Sequence, residues 1–382
     1  LSRRKMKQDN DLQNRLKQIR TRLGLSQQDL AKVVGVSRQT ISGVESGQYA
    51  PSATIALRLA KALGCQVEDL FWLEEDCLRV EATPAQAIPL DQDVRFTLAR
   101  VGGKLMAYPL LGEDAFRTEM IPADGEGWKQ TENAPVQVKL WAPPETINQT
   151  VAVAGCTPVL SLWARVAEYW YPNLRVYWSF ANSMDALERL CRGEVHIAGM
   201  HLYSPETDSY NVSFVREAVI NQRAVLINLG VWEEGLLLAP GNPKKLRTVA
   251  DLANSNITII NREIGSGSRQ LLEYLLQKAE IPFNAVQGFN SVVNNHVAVA
   301  RAVVSGNADV GVSTQAVASA FGLSFIPLHK SRYDLVVLKE YLAETPVQQL
   351  LNTLGHPRLH SQLTALGGYD TSQTGEVVAT IE

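Results

Sequence analysis

The chain has 382 residues, 46% of them hydrophobic and 20% charged, a balance that excludes a disordered or collagen-like polymer and suits two or three globular domains. No run of 18 apolar residues occurs, so no membrane span is predicted. The four cysteines, Cys65, Cys77, Cys156 and Cys191, make no CxxC pair, so neither a zinc site nor a disulfide framework is expected. The net charge of −3 is unevenly spread: residues 1–70 hold twelve Lys/Arg against six Asp/Glu, and the remainder holds 24 against 33. A basic module joined to an acidic body is expected to meet a polyanion at its basic end, the bland alternative being a solvated tail. The basic stretch Leu1–Asn10 lacks the apolar core of a signal peptide, and the chain reads as a cytoplasmic protein.

The first 70 residues read as helices throughout. Leu12, Leu16, Ile19 and Leu23 recur at helical spacing. Ser26 and Asp29 make a capping-box start for a second helix that stops at Gly35. Ser37 caps a third helix, Arg38 to Glu45, with Val36, Ile41 and Val44 inward. Ser52 caps a fourth, and a short fifth holds Val67, Leu70 and Phe71. Two short helices joined by a tight glycine turn form a helix-turn-helix. The third helix is then the reader, with Arg38, Gln39, Thr40 and Ser42 on its exposed face. Arg can pair with guanine and Gln with adenine in the major groove. Gln27 and Ser37 sit at helix N-termini, where phosphate oxygens are met.

The segment "GLSQQDLAKVVGVSRQTISGVESGQYAPSATIALRLAKAL" resembles the XRE-type, lambda-repressor and Cro-like DNA-binding domain. The resemblance implies a double-stranded DNA operator as partner. Glu45 matches an acidic position of that family and is read as structural. Such modules read DNA as dimers, so a homodimer or higher homo-oligomer is expected.

Residues 73–146 change character. "DVRFTLARVGGKLMAYPL" and "APVQVKLWAPP" alternate in the manner of strands, with Gly102 and Gly103 as a hairpin turn, while 111–135 reads as loop. A small β-rich segment, either linker or dimer interface, is expected.

From residue 147 the pattern is strand, polar turn, helix, repeated, which predicts an α/β body with mostly parallel strands. Ligands in such sheets sit beyond the strand ends, at helix N-termini. Thr157, Ser183, Ser266, Ser268, Ser291, Ser313 and Thr314 fall at such turns. Each taken alone is a helix cap or a ligand contact. The cluster Gly265, Ser266, Gly267, Ser268 and Arg269 is the stronger candidate. His201 and His296 fall near a strand end and a helix start, as cleft residues or as satisfied histidines. The chain has no GxGxxG, P-loop, GxSxG or HExxH, so no catalytic residue, cofactor or metal ligand is assigned and an enzyme is not expected.

The blocks "AGCTPVLSLWARV", "EVHIAGMHLYSPETDSYN", "NREIGSGSRQLLEYLL" and "HVAVARAVVSGNADVGVSTQAVASAFGLSFIPL" resemble the periplasmic-binding-protein-like domain described as molybdate-binding, a type II solute-binding fold. The resemblance implies two lobes, about 147–228 with 332–382 and about 229–331, and cleft roles for Cys156, Thr157, Ser183, the Gly265–Arg269 loop and His296. It implies a small anionic ligand, molybdate or tungstate first. Arg262 and Arg269 suit an organic anion equally. The expected fold class is α + α/β: a five-helix helix-turn-helix domain over 1–72, a β-rich segment over 73–146 and a two-lobed body over 147–382. The expected function is a ligand-responsive transcriptional regulator. The alternative is a DNA-binding repressor whose second domain is only a dimerisation or protein-contact scaffold.

Overall fold

Three serines start the N-terminal helices. Ser26, Ser37 and Ser52 accept bonds from the amides of Asp29, Thr40 and Ile55 at 3.1, 3.0 and 3.4 Å, filling donors that a first helical turn leaves open. The computed structural model describes residues 12–73, 78–90, 93–111, 122–129, 131 and 134–382. Leu1–Asn10 and Cys77 lie outside the described residues. The chain divides into two compact units, Leu1–Leu78 and Arg79–Glu382.

The first unit contains α1 (Leu16–Arg22), α2 (Gln27–Val34), α3 (Arg38–Glu45), α4 (Ala53–Leu63) and α5 (Val67–Leu70). Leu16, Leu30, Ile41, Leu59 and Leu70 are its buried centre. The expectation of helix throughout fails at both ends. Leu12–Asn14 is strand β1 and Phe71–Leu73 is strand β2, paired antiparallel with Leu12 opposite Leu73. Leu12 still packs against the core, which is why its helical spacing with Leu16 misled.

The second unit opens with a closed barrel of β3 (Arg79–Pro84), β4 (Val94–Val101), β5 (Lys104–Pro109), β6 (Gly125–Trp128) and β7 (Val136–Leu140). Gly102 and Gly103 turn β4 into β5, both at positive φ. Strand β6 lies in a stretch expected to be loop. Its glycines mislead the eye: a Cβ at Gly125 or Gly127 would come within 2.4 Å of the carbonyls of Lys139 or Gln137 on β7, so the strand must be glycine-rich to pair there. The barrel is fastened to the body by Arg175, which donates to buried Asp124 at 2.7 Å and to the Leu98 carbonyl at 3.0 Å.

The rest of the unit begins with α6 (Pro144–Asn148), β8 (Thr150–Gly155), α7 (Val159–Trp170), β9 (Arg175–Phe180), α8 (Ser183–Cys191) and β10 (Ile197–Met200). A small hairpin of β11 (Tyr203–Ser204) and β12 (Ser209–Tyr210) and helix α9 (Val212–Ala218) lead into β13 (Ala224–Leu238). Then come β14 (Ile259–Arg262), α10 (Gly267–Lys278), β15 (Val292–Val293), α11 (His296–Val304), β16 (Val310–Thr314) and α12 (Gln315–Ala320). The chain returns along β17 (Ser324–Leu338) and closes with α13 (Thr345–Asn352), α14 (Pro357–Leu366), β18 (Tyr369–Asp370) and β19 (Val377–Ile381).

The main sheet runs β15-β14-β16-β13-β17-β10-β8-β9. The outer trios are parallel internally, as the α/β alternation predicts. Strands β13 and β17 are antiparallel to each other and to the trios, which corrects the expectation of a mostly parallel sheet. Each has 15 residues, about 50 Å at the usual rise per residue, so the pair runs through both halves of the body. One hydrophobic cluster packs around β8, β9 and β10, and another around β14 and β16.

Candidate functional site

In the first unit, Arg38, Gln39 and Ser42 are exposed along α3 and Thr40 is half-buried. Tyr49 holds α3 by donating its hydroxyl to the Thr40 carbonyl at 2.8 Å. The Ser37 hydroxyl is occupied as the cap of α3. Gln27 donates to Glu45 at 2.8 Å and meets Arg38 Nε at 3.5 Å. Glu45 is held by Arg20 at 2.6 and 3.2 Å, and both side chains are nearly buried. That pair locks α1 to the end of α3 and leaves the Arg38 face open.

In the second unit, strand ends from both parallel trios converge on one buried polar cluster. The turn after β8 brings Cys156 and Thr157, the start of α8 brings Ser183, and the end of β10 brings His201. The start of α10 brings Ser266, Gly267 and Ser268. His296 opens α11, and Ser313 and Thr314 end β16. All of these are buried. Gly265 is only partly covered. Its neighbour Arg269 turns away from the cluster: its guanidinium pairs with Glu273 at 2.7 Å and lies over the Phe289 ring. Arg262 is bound to Glu263 at 2.8 and 2.9 Å, with Nη1 buried and unpartnered. Ser291 falls just before β15 and is exposed.

The centre of the cluster is Glu234 on β13, which the sequence reading missed. A register shift between Glu234 and Gly235 marks the strand there, the kind of irregularity that re-aims a side chain. Glu234 accepts bonds from Ser268 and, at 2.6 Å, from Ser331 on β17, and lies 3.6 Å from His201 Nε2. On the other edge of the ring, His201 Nδ1 lies 3.6 Å from Cys156 Sγ and 3.5 Å from Ser183 Oγ. His296 Nδ1 lies 3.1 Å from Ser313 Oγ, while its Nε2 is buried without a partner. Trp232 and Tyr333 form the wall, with His201 stacked on Tyr333.

Burial would raise the Glu234 carboxyl, but His201 and the hydroxyl donors outweigh it and hold the group well below the ordinary carboxylate range. Burial would lower His201, but Cys156 and Glu234 outweigh it and raise the imidazole to about 10. Burial, with Arg262 nearby, keeps His296 well below its ordinary value.

Openings flank the cluster. A crevice of about 280 Å³ is lined by Thr157, Val159, His296, Thr314, Phe321 and Tyr369. Another of about 200 Å³ is lined by Met184, Phe214, Gly265, Ser266 and Arg269. The first turn of α10 seats against His201, the residue after β10: a Cβ at Gly267 would come within 2.0 Å of the His201 carbonyl oxygen. Gly267→Ala is therefore expected to force this contact apart. Overpacking of this kind costs about 1–3 kcal/mol, so amide exchange at His201 and the first turn of α10 is expected to rise roughly 5- to 150-fold, and an unchanged exchange pattern would show that the close approach does not stabilise this turn.

The two units define a class: a DNA-binding helix-turn-helix regulator that carries a solute-binding-like domain. The family described as the PBP superfamily domain matches residues 164–355, and the family described as Helix-turn-helix matches residues 16–70. The chain belongs to the PBP superfamily domain family, with an XRE-type helix-turn-helix domain at its N-terminal end. An uncharacterized Bacillus subtilis protein, YvgK, is 31% identical over 314 residues, spanning 76% of this chain and 99% of that protein. The B. subtilis HTH-type transcriptional regulator YgzD is 46% identical over 65 residues, spanning 17% of this chain and 98% of that protein. An ABC-type phosphate transport receptor from Vibrio cholerae is similar in structure, with a TM-score of 0.42 and 16% identity over 57% of this chain and 98% of that one. No helix among the described residues is long and apolar enough to cross a membrane.

Proposed function

We propose that the protein is a cytoplasmic, ligand-responsive transcriptional regulator and not an enzyme. It would bind its operator as a homodimer through Arg38, Gln39, Thr40 and Ser42, with Gln27 and Ser37 against phosphate. Its effector would be captured where lobe one (about 147–228 and 332–382) meets lobe two (about 229–331), with the helix-turn-helix over 1–72 and the β-rich segment over 73–146 preceding them. The observation that carries this reading is the convergence of strand ends and helix N-termini on one buried polar cluster, in a chain that also holds an open reader helix. Capture could change DNA affinity only if the effector prefers one lobe arrangement over another. The crevice is poorly suited to molybdate, tungstate or an organic anion. Any of these would share the crevice with ionised Glu234, while Arg262 and Arg269 are already paired with carboxylates.

The test is to select an operator from random duplexes and to measure its affinity for the protein as purified and after exhaustive dialysis. Log affinity should fall linearly with log salt, with a slope of about −0.9 per phosphate contacted. A change of affinity on dialysis, reversed by the dialysate, is the expected result. Identical affinities before and after, with no small molecule found by native mass spectrometry, would favour the scaffold reading.

A further inference from the structure

We propose that Cys156, His201 and His296 bind a single divalent transition-metal ion in the crevice of the solute-binding-like domain. As a binding site this stands on geometry. The further step, that the ion is the effector, rests on the regulator reading above.

The three residues come from separate elements: the turn after β8, the end of β10 and the first residue of α11. Their ligand atoms all lie within 4.8 Å of one another, and all three side chains are buried. Cys156 Sγ and His201 Nδ1 are 3.6 Å apart. Two ligands of a tetrahedral ion, at about 2.3 Å for sulfur and about 2.0 Å for imidazole nitrogen, stand about 3.5 Å from each other. The pair is already at that spacing.

His296 is oriented in the way a metal-binding imidazole requires. Its Nδ1 is held at 3.1 Å by Ser313 Oγ, so the far nitrogen, Nε2, keeps its direction. That Nε2 is buried and has no hydrogen-bond partner. An orphaned buried polar atom costs free energy, and a metal ion would use its lone pair. His201 Nε2 has no hydrogen-bond partner, but a carboxylate stands behind it. Glu234 lies 3.6 Å from its Nε2, and Ser268 and Ser331 fix Glu234 in turn. A carboxylate behind an imidazole is the usual outer support of a metal site.

The donor set selects the class of ion. Thiolate with two imidazoles suits zinc, copper, nickel or cobalt and not magnesium or calcium, which take oxygen ligands. Three protein donors leave a fourth position for water. The Cys156–His201–Glu234 line would also suit a thiol nucleophile, but that chemistry leaves the aimed Nε2 of His296 without a role.

The experiment uses full-length protein, purified with reductant, stripped with chelator and titrated with cobalt(II). The expected result is one cobalt per chain, a near-ultraviolet thiolate-to-cobalt charge-transfer band, and displacement of the cobalt by zinc. Replacing Cys65, Cys77 and Cys191 together by Ser should keep the band, and Cys156→Ser should remove it. Ser313→Ala, which touches no ligand atom of the ion, should weaken cobalt binding about 10- to 100-fold, the usual effect of losing an outer support. Wild-type protein that gives no band overturns the site, and so does a band that survives Cys156→Ser. Operator affinity measured with and without zinc separates the two steps. If zinc binds but affinity is unchanged, the site stands and the ion is not the effector. If no metal binds while another dialysable molecule shifts affinity, the site falls and the regulator reading stands.

Discussion

The double variant Arg38→Ala, Gln39→Ala is expected to lose sequence-specific operator binding and to keep its fold. Both residues are exposed in the first turn of α3 and neither belongs to the core of Leu16, Leu30, Ile41 and Leu59. Ser37 caps that turn through the Thr40 amide, so the backbone that presents them does not depend on their side chains. The contact from Arg38 to Gln27 is long, at 3.5 Å, and sits at the surface, so its loss is cheap. A bidentate pair with a base is worth about 1–3 kcal/mol of discrimination, so removing two should cut the ratio of operator to scrambled-duplex affinity about 30- to 10⁴-fold. Binding to scrambled DNA should fall far less, because it rests on phosphate contacts. Fluorescence anisotropy with both duplexes at one salt concentration reads the ratio, and a thermal melt confirms the fold. A ratio equal to wild type would remove Arg38 and Gln39 as readers.

The helix-turn-helix was legible in the sequence because its signals are local. Caps at Ser26, Ser37 and Ser52 act within four residues of themselves, and the inward residues follow a single period. The failure at Leu12 and Phe71 has the opposite cause. Their strands pair across the length of the unit, and no local period distinguishes a three-residue strand from a frayed helix turn. The mixed sheet was misread for a related reason. Strands β13 and β17 are buried along much of their length, so "LINLGVWEEGLLLAP" shows an apolar run in place of a clean alternation. The run gives no sign of which way its neighbours point.

The cluster shows the same division. Cys156, Thr157, Ser183, Ser266, Ser268 and His296 stand where strands end or helices begin, and that position can be read from turn chemistry. Glu234 stands inside a strand. Its one signal is a charge within an apolar run, and a reader has to ask what would satisfy it there. The association of Cys156 with His201 spans 45 residues of sequence and arises only when β8 and β10 pair. Spacing rules for metal ligands describe sites built on one turn or one helix. They cannot register a site assembled by a sheet, and the absence of such a spacing is therefore weak ground for excluding a metal.

Breaking the Arg20–Glu45 pair should strongly destabilise the first unit. Both side chains are nearly buried, at 11% and 4% exposed, and Arg20 also donates to the Leu25 carbonyl at 2.6 Å. Arg20→Ala leaves Glu45 charged and covered, with only Gln27 to bond it. Removing one partner of such a pair costs about 3–5 kcal/mol, whereas replacing both with apolar residues of similar volume is often close to neutral. Amide exchange in α2 and α3 should therefore accelerate by about two to nearly four orders of magnitude in Arg20→Ala, and much less in Arg20→Met combined with Glu45→Leu. The double variant also tests what Glu45 does. If the carboxylate is structural, operator affinity should be near wild type once the helices are stable again. If the double variant is as stable as wild type but loses its preference for the operator, then Glu45 contacts the bases, and the reader surface extends from the first turn of α3 to its last.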